Sequence, residues 1–170
     1  MAFPLKVFAM ATLLISFGAP HRSQNAAAAA LQLAQQGDLS QATAFIRGLK
    51  LNDNLPQLII RTALQSPTIQ DYDSLHGGTP VFNALNTGTE AAVAKYGGQW
   101  TENLAKAYAA HFTTSELASL LTDGQASPHS EQFERKKPDV GNAMRDLSTD
   151  LLSEATSDAV THVVESFQKN

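Results

Sequence analysis

The chain has no cysteine. That excludes disulfides, a thiol nucleophile and the attachment cysteine of a lipoprotein, so stability has to come from packing. Charge is sparse, with 16% charged residues against 43% hydrophobic ones, a balance that excludes a disordered chain. Long runs of valine, isoleucine and aromatic residues are missing, and no segment sustains period-2 alternation, so the material for a sheet is lacking. The signatures H-E-x-x-H and G-x-S-x-G and a phosphate-binding glycine loop are also absent. No cofactor is expected.

What is present favours helix. The 170 residues suffice for one domain with a proper core, and alanine, leucine and glutamine are plentiful. The chain opens MAFPLKVFAMATLLISFGAPHRSQNAAAAA. Lys6 precedes an apolar run from Val7 to Ala19, and a polar break and an alanine tract follow. This is the order of a cleavable secretory signal. The run is shorter than the roughly 20 residues a membrane-spanning helix needs. Cleavage is expected between Ala26 and Ala30, which divides the chain into a signal peptide over 1–28 and a single all-helical domain over 29–170. Export places the domain in the periplasm or outside the cell.

Loss of Lys6 and Arg22 with the signal leaves ten basic and sixteen acidic residues, a net charge of −6. An exported acidic domain is a poor binder of nucleic acid or anionic lipid by bulk electrostatics. Once the signal is cleaved, no integral membrane segment is expected.

Two helices are predicted to meet at Gly37–Asp38, as C′ residue and N-cap. The second carries Leu39, Ala42, Phe45, Ile46 and Leu49 on one face. Asn54, Leu55 and Pro56 open a third helix, stopped before Pro67. Residues 67–79 have no period and two glycines, and read as a loop. Thr79–Pro80 starts another helix, with a break or kink at Gly88 and an end at Gly97–Gly98. Trp100, Leu104, Ala107, Tyr108 and Phe112 then form a clear helical stripe.

In HFTTSELASLL, Thr113 as N-cap makes Glu116 N3, Phe112 N′ and Leu117 N4. A capping box and a hydrophobic staple then share one register. Asp123–Gly124 ends this helix, and Ser127–Pro128 begins another that runs to Pro138, with Arg135, Lys136 and Lys137 in its last turn. Asp139 caps the final segment. There Val140, Met144, Leu147, Leu151, Ala155, Ala159, Val163 and Phe167 predict one helix of about 28 residues, some 42 Å long at 1.5 Å per residue. The fold expected is all-α, a compact bundle of about six to eight helices ending in one long C-terminal helix.

These residues carry a resemblance. Trp100, Tyr108, F-T-x-x-E-L (Phe112, Thr113, Glu116, Leu117), Leu120, Leu121, S-P (Ser127, Pro128), Phe133, Lys136 and Pro138 resemble the exported bacterial helical family called domain of unknown function 2059. The likeness covers a core over 96–145. Gly124 and Gln125 stand where that family has an aromatic pair, and Ser130 stands at its motif glycine. The resemblance implies a signal peptide followed by a small helical domain; no catalytic residues are established for that family, so none carry over.

His111, Thr113, Ser115 and Glu116 superficially suggest acid–base chemistry, but the capping box accounts for Thr113 and Glu116. Asp71, Asp73 and His76, followed by Gly77–Gly78, form the best metal-like cluster. Asp, Ser and Gly are equally the ordinary material of loops. His129 and Glu134 are not i, i+4 partners and make no helical two-ligand site. The expectation is a non-catalytic binding module in the bacterial periplasm, with an unknown protein or a small apolar ligand as partner. Alternatives are a carrier bundle for an apolar lipid or peptide, and a metal-dependent enzyme using residues 71–78. Self-association through the stripe of the C-terminal helix is a further possibility.

Overall fold

The computed structural model describes residues 39–168. The signal segment, the alanine-tract helix and the Gly37–Asp38 junction lie outside them. Among the described residues every regular element is helical: α1 (39–48), a 3₁₀ turn at Leu51–Asn54, α2 (Leu55–Ala63), α3 (Pro67–His76), α4 (Gly78–His111), α5 (Thr114–Asp123), a second 3₁₀ turn at Gly124–Ala126, and α6 (Ser130–Gln168). The all-α bundle with a long last helix is as expected. No helix of the described residues is long and apolar enough to cross a membrane.

The core is the antiparallel pair α4 and α6. Gly88 lies against Ala159 and His162, Lys95 bonds Asp158, and Asn103 reaches Leu147 and Ser148, so numbers fall on α6 as they rise on α4. Apolar faces of α1, α2 and α5 close over this pair, with Phe45, Ile46, Leu55, Ile59 and Leu117 fully buried. Phe45, Tyr108, Phe112 and Phe133 make a four-ring cluster that joins α1, α4 and α6.

Four local expectations need correction. Residues 67–76 are helix, not loop. The Ser66 hydroxyl accepts the Ile69 N–H at 3.2 Å and Pro67 takes the first turn, so a cap and proline start α3 where a stop was read. Gly88, Gly97 and Gly98 do not interrupt α4, a single helix of 34 residues. Packing of both its halves on α6 overrides the weak helix preference of glycine. α4 begins at Gly78 rather than after Thr79, with Gly77 at φ 85° as its cap.

Pro138 likewise does not end a helix, because α6 runs through it for 39 residues. Proline removes one N–H, and with it the bond to the Glu134 carbonyl. Both residues are exposed, so water can supply the lost partner. Asp139 is therefore no cap, and Lys136 is no last-turn residue. Lys136 instead donates to the His111 carbonyl at 2.5 Å, placing positive charge on the C-terminal end of α4. The α6 stripe is spent on α4, and Leu147 is exposed while Ser148 takes the buried position.

Candidate functional site

The residues singled out from sequence divide into structural and dispersed groups. The Thr113 hydroxyl accepts the Glu116 N–H at 3.3 Å, and Glu116 accepts the Thr113 N–H at 2.8 Å, completing the capping box. These bonds, with the Gln132 amide at 2.9 Å, hold the Glu116 carboxyl below its ordinary range. Phe112 and Leu117 are both buried in the core, as a staple requires. Ser127 is buried, and its hydroxyl accepts the His129 N–H and pairs with Ser119 at 2.8 Å. Pro128 sits in the turn before α6.

Asp71, Asp73 and His76 are all exposed on α3. Asp73 and His76 are three apart and share a face, whereas Asp71 falls on another. His76 stacks on Phe167, with ring centroids 4.3 Å apart. Among the described residues no group of three or more His, Asp or Glu stands close enough to hold a metal ion.

Several open grooves of about 270–500 Å³ indent the described surface, and two of similar size join an apolar floor to charged side chains. The first, about 470 Å³, lies between α1, α5 and the start of α6, over Phe45, Leu49, Leu120 and Phe133, with Glu131 and Glu134 at its edge. Its wall is α1. The second, about 450 Å³, lies between α2, α4 and α6. Leu58, Trp100, Leu104, Val140, Met144 and Leu152 make its floor, and Arg61, Lys137 and Arg145 stand around it.

The second groove is built on polar anchors that the sequence did not single out. Trp100 is held by its indole N–H, which donates to the Asn54 side chain at 3.1 Å, so Asn54 serves this bond rather than capping α2. Asn103 is buried, donating to the Leu147 carbonyl at 2.8 Å and the Ser148 hydroxyl at 3.0 Å. It accepts from Gln99 at 3.1 Å. These bonds fix the register of α4 on α6, and with it Trp100 and Leu104 opposite Met144. Gly141 also lines the groove, and a Cβ built on it meets nothing within 4 Å. Tyr108 lines one side, and burial pushes its phenol up from the ordinary value.

The arrangement can hold an apolar group on a preformed floor while cations meet whatever polar end it carries. Comparison with family models, with curated proteins and with solved structures finds no match to this chain.

Proposed function

We propose that this chain is an exported, non-catalytic helical binding module that seats a small apolar ligand in the groove between α2, α4 and α6. One observation carries the reading: an apolar floor around Trp100, Leu104 and Met144, in a cavity of about 450 Å³. That volume falls within the roughly 300–1,000 Å³ of small-molecule sites. Export is supported by the order of charged, apolar and small residues over 1–28. Membership of domain of unknown function 2059 belongs to the same proposal. Its support is the F-T-x-x-E-L run, which forms the capped corner between α4 and α5.

Trp100 is the sole tryptophan of the chain and serves as a reporter. Titration with 1-decanol should shift its emission saturably, with one ligand per chain. Gly141→Leu places a side chain in the groove where space is open, and should abolish that response without lowering the melting temperature. An unresponsive Trp100 in the parent protein, or an undiminished response in Gly141→Leu, contradicts the reading.

A further inference from the structure

We infer that the groove between α2, α4 and α6 selects an anionic amphiphile of the fatty-acid class, with the carboxylate at Arg61 and Arg145 and the alkyl chain over Trp100 and Leu104. This rests on the binding reading above and adds the chemistry of the head group.

Charge distribution is the first support. The chain as a whole is acidic, with a net charge of −4, yet three cations and no carboxylate line this groove. The groove between α1, α5 and α6 is slightly larger and also has an apolar floor, but Glu131 and Glu134 line it. The two differ in the sign of charge at the mouth, so an anionic head distinguishes them.

The cations are not equivalent. Lys137 is already balanced by Glu134 at 2.6 Å. Arg145 donates to the neutral Asn142 side chain at 3.0 Å and forms no ion pair among the described residues, and neither does Arg61. Arginine presents a planar fork of donors matched to a carboxylate, and its stem lies readily along apolar surface while the head stays in water. A ligand with one anionic end and one apolar end satisfies both halves of this construction.

Tyr108 supplies a second, independent observation. Its side chain is buried to 9% exposure, and its hydroxyl makes no hydrogen bond among the described residues. Burial raises the phenol, so at neutral pH it keeps its proton and can donate to an incoming oxygen. That hydroxyl is not sealed from water, since the buried side-chain oxygens without a partner among the described residues are those of Thr89 and Thr156, so a carboxylate oxygen can replace water at it. An acidic peptide shares the charge, but a cavity of about 450 Å³ suits a single alkyl chain better than a folded segment.

The test compares decanoate, 1-decanol and decylamine by Trp100 emission on the purified chain, below their aggregation concentrations. Decanoate should bind roughly tenfold tighter than decanol, as expected for a charge-assisted contact, and decylamine weaker than decanol. In Arg61→Gln/Arg145→Gln the decanoate affinity should fall to within about twofold of decanol, with decanol unchanged. Added salt should weaken decanoate alone. Equal binding of all three ligands overturns the anionic selection while leaving the apolar groove standing. No binding of any overturns both. A glutamate- and leucine-bearing peptide that shifts Trp100 while decanoate does not overturns the fatty-acid assignment.

Discussion

A Cβ on Gly88 would stand 2.8 Å from the carbonyl oxygen of Ala159 and 2.9 Å from the Cβ of His162. The missing side chain is thus what lets α4 and α6 approach at this crossing. Gly88→Ala should destabilise the protein by about 1–3 kcal/mol, the usual range for overpacking, despite a better helix preference. Urea denaturation would show it as a lower midpoint.

Gly141 gives the opposite sign. It is exposed on α6 and a Cβ there meets nothing. Gly141→Ala should therefore raise stability by about 0.5–1 kcal/mol. Running both substitutions side by side separates helix preference from contact, because only one position is crowded.

Asn103 ties the middle of α4 to α6 through the Leu147 carbonyl and the Ser148 hydroxyl. Asn103→Ala leaves the Ser148 hydroxyl with only the Met144 sulfur as partner and empties a buried site. A loss of about 1–3 kcal/mol is expected, and with it a changed Trp100 emission, since Trp100 stands on the same helix three residues away. An unchanged spectrum and midpoint would contradict this role.

Thr89 and Thr156 are buried, and their hydroxyls find no hydrogen-bond partner among the described residues. Valine has the same shape without the unmet polar atom. Thr89→Val and Thr156→Val should each leave the midpoint unchanged or raise it, by up to about 1–3 kcal/mol. A clear loss in either would reveal a partner for that hydroxyl.

The capping box gives a pH prediction. Glu116 has its carboxyl lowered, first by the Thr113 backbone N–H. A lowered folded value means that its contribution is present above the ordinary carboxylate range and is lost as pH falls through the folded value. Glu116→Gln should be less stable than the parent at neutral pH, and the difference should shrink as pH falls below the ordinary carboxylate range. Thr113→Ala should cost about 1 kcal/mol.

Elements with a local signal were legible in the sequence. The stripe from Trp100 to Phe112 and the box at Thr113 and Glu116 involve neighbours along the chain, and both are present in the structure. Gly88 and Pro138 were misread because breakers were weighed by propensity, whereas packing on the far helix and exposure to water decide their effect. α3 was missed because Ser66–Pro67 was read as an end rather than a start, and only Ile69 of that helix is fully buried. The groove was not legible at all. Trp100 and Met144 each read as core from their own helix, and only the register set by Asn103 leaves them facing an open space.

Transferred nuclear Overhauser effects between decanoate and the protein test the central claim most directly. Contacts from the alkyl protons to Trp100, Leu104 and Met144, with the carboxylate end near Arg61 or Arg145, are the predicted result. Contacts to Phe45, Leu49 and Phe133, placing the ligand in the glutamate-lined groove, would contradict it.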